Sequence, residues 1–600
     1  MDNLNRRYPP EDYEIPAEEQ AIMDDLDRRH FSNEQNQALL ARYSDLFLDD
    51  DKFEKAHDIH QMMSIFYAMH VASADAHVPK TFKEAMASEQ KSQWKKAMDT
   101  EIAALKRNST WKLEHRAGRK AIKCKWVYVI KYDADGSIIK YKARLVAKGF
   151  TQQQGIDYNE IFSPVSKIAT WRILIAIAAA KGWDLFQDDV PSAFLKGSLK
   201  EVIYMEQPEG YQEGSMVCRL IKTLYGLKQS AREWNEVITN YLISQGFSQV
   251  ISEPCLFTRK RNGKFIFTVI WVDDILSTGD DDVETFRKNM QNHFGMDEGS
   301  SLTWCLGLHV AKDPVTSHIT MDQDKYIKDK CKEFSQFIQR GGSSTPLPSN
   351  YMEKLREAED PNTPTDRNFP YAPMLGSIMF AMICTRPDLS TAVSFLSRHV
   401  KNPKKIHCQL MQHVFRYARD NPYRIQYNYQ APLVLKGYVD AAFATDADCK
   451  STGGYIFTLG SGPIAWATNK QSIVALSSSE AEYIAVTPAG QECIWLSQIF
   501  NSLSFPQGCV TIFEDNDAVL KLSKEPKINK RTKHISVRFH WIREKISNGI
   551  FKLTYLNTKS QLADIMTKVP PGPQFHKLVH QMGMTLPSKG MYPAKEGVRV

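Results

Sequence analysis

The chain has 600 residues, 42% hydrophobic and 24% charged, with a net charge of +7. This composition excludes a disordered or fibrous protein and leaves room for roughly three to five domains. The longest apolar run, Ile173–Ala180, is too short to span a bilayer. The N-terminus, MDNLNRRYPPEDYEIP, lacks the apolar core of a secretory signal. The ten cysteines contain no C-x-x-C pair, so neither a zinc ribbon nor a disulfide framework is expected, and a reducing intracellular site is.

Residues 1–60 hold sixteen acids and seven bases, a net of −9, which leaves +16 on the other 540. An acidic leader, 1–78, read as partly disordered with helical patches such as Asn36–Phe47, thus precedes a basic body suited to a polyanion. Thr81–Leu105 has the apolar spacing of an amphipathic helix. Trp111–Val146 reads as strands around a turn at Asp133–Gly136. Its basic run, KYKARLVAKGF, offers Lys142, Arg144 and Lys148 to phosphates. Ile168–Lys181 predicts a buried helix, Leu185–Val190 a strand ending in carboxylates, and Leu224–Gln245 a Gly-containing turn followed by a helix. Phe265–Gly279, FIFTVIWVDDILSTG, predicts a hairpin whose tight turn carries Asp273 and Asp274. Adjacent anions repel unless neutralised, and a divalent metal does this well. Asp188-Asp189 pairs naturally with Asp273-Asp274 on a neighbouring strand. Three carboxylates from two strands can hold two Mg²⁺ ions about 3.5–4 Å apart, an arrangement able to activate a primer hydroxyl and stabilise leaving pyrophosphate.

Gly341–Pro373 is rich in Gly, Ser, Pro and charge and reads as a linker. Tyr371–Arg419 is helical in pattern. A second unit begins near Leu433, with strands at Leu435–Asp440 and Thr452–Thr468 and a helix at Ser479–Leu503. A strand at Val510–Phe513, helices at Asp517–Leu522 and His534–Ser547, a strand at Phe551–Tyr555 and a helix at Ser560–Lys568 follow. Four acids stand at suggestive places: Asp440 ending a strand, Glu482 on a helix, Asp515 after a strand and Asp564 on the last helix. Helix geometry favours Glu482 over Glu480. Ala485, Val486 and Ala489 share the face of Glu482, whereas Glu480 sits beside Ile484 and Gln491 and should be wetter. A carboxylate on an apolar stripe needs a partner, and a metal supplies one.

The ordered words of residues 79–430 resemble the reverse transcriptase of copia-type LTR retrotransposon Pol polyproteins. They are W-K-K-A-M at 94–98, K-W-V at 125–127, K-A-R-L-V-A-K-G-F at 142–150, A-F-L-K-G at 193–197 and Y-M-E-Q-P-E-G-Y at 204–211. L-Y-G-L-K-Q-S at 224–230, V-D-D at 272–274 and T-R-P-D-L at 385–389 complete the set. The resemblance implies Asp189, Asp273 and Asp274 as palm carboxylates, with Asp188 a neighbour. It implies Phe194 as a steric gate beneath the incoming sugar, and Tyr225 and Gly226 along the nucleotide pocket. G-Y-V-D-A-A-F, S-S-S-E-A-E-Y-I-A, E-D-N-D-A, R-T-K-H-I and Q-L-A-D-I-M-T-K resemble a ribonuclease H and carry its four metal ligands onto Asp440, Glu482, Asp515 and Asp564. His534 and His540 read as structural or surface residues. The chain departs from the family in Trp271 for Tyr, Asp188 for Met, Phe443 in the D-A-D-W word, Ser536 after K-H-I, and R-Y-A-R-D-N near Arg416.

The fold expected is α/β and α+β and multidomain: a right-hand polymerase with palm and fingers, followed by a ribonuclease H-like fold. Its expected parts are fingers and palm over 79–340, linker and helical thumb or connection over 341–432, ribonuclease H over 433–570 and a tail over 571–600. The activity implied is RNA- and DNA-directed DNA synthesis with cleavage of the RNA in an RNA–DNA hybrid. Its partners are RNA template, DNA primer, hybrid and deoxynucleoside triphosphates, with no membrane. Two Mg²⁺ per active site are implied, with Mn²⁺ as substitute, and a cytoplasmic site, in a retrotransposon particle or with access to the nucleus. The rival is a decayed or domesticated relic that binds nucleic acid without catalysis. An RNA-dependent RNA polymerase is disfavoured by Phe194 and by the nuclease words. No aspartic-protease motif, zinc knuckle or paired His/Cys integrase site stands in the chain.

Overall fold

A computed structural model describes residues 78–587, apart from 133–137, 359, 361–362, 367, 446–447 and 525–535. Residues 1–77 of the acidic leader, the Asp133–Gly136 turn and His534 lie outside the described residues. The described chain forms two compact units. One takes residues 78–164 and 192–244, and the other takes 165–191 and everything from 245. The stretch 79–340 is therefore shared between them.

In the first unit, the single helix expected over Thr81–Leu105 is two, Phe82–Ala87 and Lys91–Arg107. Ser88 breaks it: its backbone is extended, and its hydroxyl donates to the Ala85 carbonyl at 2.8 Å, a local bond that competes with helix continuation. Trp94, Met98, Ile102 and Leu105 form one buried stripe of the longer helix. They share a core with Trp126, Tyr128 and Leu145 of the antiparallel hairpin Cys124–Tyr132 and Ile138–Ala147. A three-stranded sheet, Trp111–His115, Met216–Leu220 and Tyr204–Met205 in spatial order, and the helix Ser230–Ser244 complete the unit.

The second unit is built around the helix Ile168–Lys181. Every residue from Ala169 to Ala180 is buried, because apart from Thr170 and Arg172 the side chains are apolar on all faces of the helix. Gly182, at φ +73°, ends it in the left-handed conformation that glycine adopts without strain. Beside it lies a six-stranded antiparallel sheet: Ser300–Ser301, Leu185–Asp189, Asp274–Gly279, Lys264–Trp271, Glu253–Arg261 and Ser248–Val250. A second sheet runs Gly462–Lys470, Thr452–Leu459, Leu435–Ala442, Val510–Glu514 and Phe551–Tyr555. Its first two pairings are antiparallel and its last two parallel, with the helix Ser478–Ser502 packed on the central strand. The chain is thus mixed α/β and α+β, with a palm-type sheet followed by a ribonuclease H-like one.

These two sheets share one apolar core with the buried helix. A second core joins the helices Tyr351–Ala358, Tyr371–Cys384, Ser390–Ser397 and Lys405–Asp420 to residues 562–584. Residues 571–587, read as a tail, hold the helix Gly572–Gln581 and the strand Met584–Thr585, which pairs with Arg424–Tyr427. Phe575, Leu578, Val579 and Met582 are buried at helical spacing. No helix among the described residues is long and apolar enough to cross a membrane.

Candidate functional site

The palm acids sit where two strands end together. Asp274 opens its strand directly opposite Asp189, and Asp188 falls opposite Ile275. Asp273 lies in the two-residue loop between Trp271 and Asp274, and its carbonyl accepts the Val190 N–H at 3.0 Å. Val272, the first loop residue, has φ +54°, a costly conformation for a β-branched side chain, which the hairpin around it enforces. Gln187 donates to Asp274 at 3.0 Å. Burial first, then the charges of Asp273 and Asp189, push the Asp274 carboxyl up to about 6, against the Gln187 bond that lowers it.

Strand alternation sends Asp188 to the opposite face from Asp189. There it is fully buried and pairs bidentately with Arg287, at 2.7 and 3.0 Å, while Gln291 donates at 2.7 Å. Asp188 is therefore an anchor for the helix Val283–Phe294 and is not presented beside the palm acids.

The six candidate substrate residues all belong to the first unit. Lys142 and Arg144 share one face of the strand Ile138–Ala147, with Lys148 just beyond it. The Arg144 guanidinium lies over the Tyr225 ring at 4.6 Å, and Tyr225 meets Phe194 edge to face at 4.9 Å. Phe194 is fixed from its backbone, since the Thr223 hydroxyl donates to its carbonyl. Gly226 has φ +88°, and a Cβ there would stand 2.1 Å from the Ala147 oxygen, so glycine is required where this loop meets the basic strand.

The nuclease-type acids converge more tightly. Asp440, on the central strand, is 2% exposed, Glu482 7% and Asp564 4%. Asp440, Asp515 and Asp564 bring ligand oxygens within 4.8 Å of one another, and so do Glu482, Glu514 and Asp515. The palm trio is not among the groups that the described residues gather this closely. Gly454 permits the approach of the last acid: a Cβ there would lie 2.4 Å from Met566 Cβ, so the turn carrying Asp564 packs directly on the neighbouring strand. Thr567 donates its hydroxyl to Asp440. Lys568 reaches Asp564 at 2.8 Å and Asp440 at 3.6 Å. Burial raises the Asp440 and Glu482 carboxyls, and it pushes Asp564 up to about 7 with Asp440 adding to the shift. Asp440 and Asp564 hold the Lys568 ammonium protonated against its own burial.

The sequence reading missed Glu514 and Lys568. Glu514 was legible as an acid on the inward face of V-T-I-F-E, in step with Val510 and Ile512. Lys568 stands one helical turn beyond Asp564. Glu480 corrects an expectation. It is as buried as Glu482, because its carboxylate turns back over the helix start to accept the Leu476 N–H at 3.0 Å, while Ser477 caps the Glu480 N–H. His540 is exposed.

The donor set suits a hard divalent cation. It is all oxygen, largely buried, and Glu482 and Glu514 each keep one carboxylate oxygen without a hydrogen-bond partner. In the second unit a palm-type hairpin tipped with acids is followed along the chain by a ribonuclease H-like sheet. Residues 108–347 match the family described as reverse transcriptase (RNA-dependent DNA polymerase). The chain is 38% identical over 527 residues to the retrovirus-related Pol polyprotein from transposon TNT 1-94 of Nicotiana tabacum, covering 86% of this chain and 40% of that one. It is 30% identical over 312 residues to a Ty5-1 transposon protein of Saccharomyces cerevisiae, covering 51% of this chain and 99% of that protein. A foamy viral protease-reverse transcriptase solved with RNA/DNA hybrid aligns at 13% identity and a TM-score of 0.40, over 92% of this chain and 65% of that one. The chain belongs to the reverse transcriptase family, among the Pol polyproteins of copia-type transposons. It spans less than half the length of the tobacco polyprotein.

Proposed function

We propose that this chain is an RNA- and DNA-directed DNA polymerase with an attached hybrid ribonuclease, acting on template–primer and deoxynucleoside triphosphates. The observation that carries the reading is the register that sets Asp274 against Asp189 with Asp273 in the adjoining turn. These three acids would hold Mg²⁺ in the palm, and Asp440, Glu482, Asp515 and Asp564 would hold it in the nuclease site. Bound there, the ions supply Lewis acidity for in-line displacement at phosphorus.

The chain's own residues do the rest. Phe194, backed by Tyr225, supplies an aromatic ring suited to excluding a ribose 2′-OH. Lys142 and Arg144 on one strand face, and Lys148 just beyond the strand, offer cations to phosphates, and Arg144 is held in place over Tyr225. Lys568 balances part of the charge on Asp440 and Asp564. A cytoplasmic site of action, in a retrotransposon particle, goes with this reading, and ten free cysteines suit it. The test is extension of a DNA primer on an RNA template, with degradation of a labelled hybrid in parallel. Both are expected with Mg²⁺. Absence of both with Mg²⁺ and with Mn²⁺ refutes the proposal and leaves a nucleic-acid-binding relic.

A further inference from the structure

The strand Val510–Glu514 delivers two successive acids to the nuclease-type cluster by different routes. Glu514 follows the inward face of the strand and is fully buried, while Asp515 comes from the turn just beyond it. With Glu482, from the first turns of the helix Ser478–Ser502, they bring three ligand oxygens within 4.8 Å of one another. One Glu514 oxygen accepts the Asn516 N–H at 3.0 Å, and the other has no hydrogen-bond partner. The same holds for one oxygen of Glu482.

Buried carboxylates this close are costly unless a positive charge or a proton sits among them. Among the described residues, the cation that forms ion pairs with this set of acids is Lys568, and it is committed to Asp564 and Asp440 in the other group. Among the described residues, the Glu482–Glu514–Asp515 end therefore has three acids, two buried oxygens without hydrogen-bond partners and no ammonium in ion-pair contact with Glu482 or Glu514, and it shares Asp515 with the other group.

We propose that Glu482, Glu514 and Asp515 form a divalent-cation position with Glu514 as a direct ligand, a fifth carboxylate beyond the four that the family resemblance supplies. The inference rests on the nuclease reading above, and it assigns that site a ligand of this chain's own. Glu514 replaces a water in the ion's shell with an anionic oxygen, so the ion at this end is held more tightly than two carboxylates and water would hold it. Lys568 biases the other end the opposite way, because a cation entering between Asp440 and Asp564 must displace an ammonium.

The probe is Mn²⁺, titrated into the full chain after EDTA treatment, with bound and free ion separated by electron paramagnetic resonance. Glu514→Gln keeps the shape and removes the charge. It should weaken one Mn²⁺ ion by roughly tenfold or more and leave other bound Mn²⁺ unchanged. Glu482→Gln should weaken the same ion, and the double variant should lose less than the two single effects together. The metal-free Glu514→Gln protein should melt no lower than wild type, since a like charge is removed. Unchanged Mn²⁺ binding by a cooperatively melting Glu514→Gln protein overturns the inference and makes Glu514 a buried neutral acid. So does a wild-type chain that binds no Mn²⁺. Hybrid cleavage, measured separately, judges the nuclease reading: Mn²⁺ lost in Glu514→Gln from a wild-type chain that never cleaves hybrid would sustain the site and refute the activity.

Discussion

Arg172 ties the buried palm-side helix to the nuclease-type half of the second unit, and its removal should destabilise that unit as a whole. It is 3% exposed. Its Nε donates to the Ile464 carbonyl at 2.8 Å, and Nη1 donates to the Ile383 and Cys384 carbonyls at 2.8 and 2.9 Å. Its guanidinium carbon lies over the Trp466 ring, 3.8 Å from the ring centre. Ile383 and Cys384 end the helix Tyr371–Cys384, where carbonyls lack intrahelical donors and the helix dipole favours a cation. Trp466 donates to Met382 in the same turn at 3.1 Å. Burial pushes the Arg172 guanidinium down to about 10, yet it stays charged at neutral pH. Arg172→Met fills similar volume but strands three buried acceptors, each worth about 1–3 kcal/mol. Allowing for relaxation, a loss of about 3–5 kcal/mol follows, and a fall in Tm of roughly 6–20 °C. Differential scanning calorimetry reads it directly. Arg172→Lys, with its charge kept but its fork lost, should fall between. An Arg172→Met protein melting within about 1 °C of wild type would refute the reasoning.

Other outcomes follow from single side chains. Glu253 is buried at the start of the helix Ile168–Lys181, where it accepts the Thr170 hydroxyl at 3.1 Å, and burial pushes it up to about 7. A carboxyl raised in the folded state favours folding at low pH, and that contribution is lost as pH rises from about 4.5 to about 7, by about 3 kcal/mol. Glu253→Gln should flatten the stability–pH curve across that window, and an unchanged curve contradicts the assignment. Arg287→Leu strands the Asp188 carboxylate and should cost about 3–5 kcal/mol, while adding Asp188→Leu should recover much of it; no recovery in denaturant melts argues against the pair. Phe194→Val should raise ribonucleotide incorporation relative to deoxynucleotide addition, and an unchanged ratio of the two rates dismisses the gate.

Much of this architecture is visible in the residues, for physical reasons. Apart from Thr170 and Arg172, the positions from Ile168 to Ala180 carry apolar side chains on every face, which a solvent-facing helix does not, so the burial of Ile168–Lys181 is legible. The V-D-D hairpin announces itself by β-branched runs on either side of two acids. Sidedness is harder to read. Asp188 and Asp189 are identical in type, and only the strand pairing shows which one faces Asp274. Glu480 was expected to be wet from its helical neighbours, but a side chain one turn from a helix start can fold back onto free N–H groups, which face periodicity does not register. Alternation along V-T-I-F-E puts Glu514 on the inward side with Val510 and Ile512, but only the packing of the helix Ser478–Ser502 on this sheet brings Glu482 to it. The partners of Arg172 lie more than two hundred residues away in sequence, and no local pattern reveals them.

The central claim is that one chain carries two independent metal-dependent centres, and one crossed experiment tests it. Asp273→Asn and Asp515→Asn each remove one carboxylate charge from one cluster and leave the other set of acids intact. Each purified variant, with its Tm shown to match wild type, is assayed for primer extension on RNA and for hybrid cleavage in Mg²⁺. Loss of one ligand should lower the local activity by roughly a hundredfold or more. Asp273→Asn should lose extension and keep cleavage, and Asp515→Asn should do the reverse. A folded variant that loses both activities, or neither, contradicts the account.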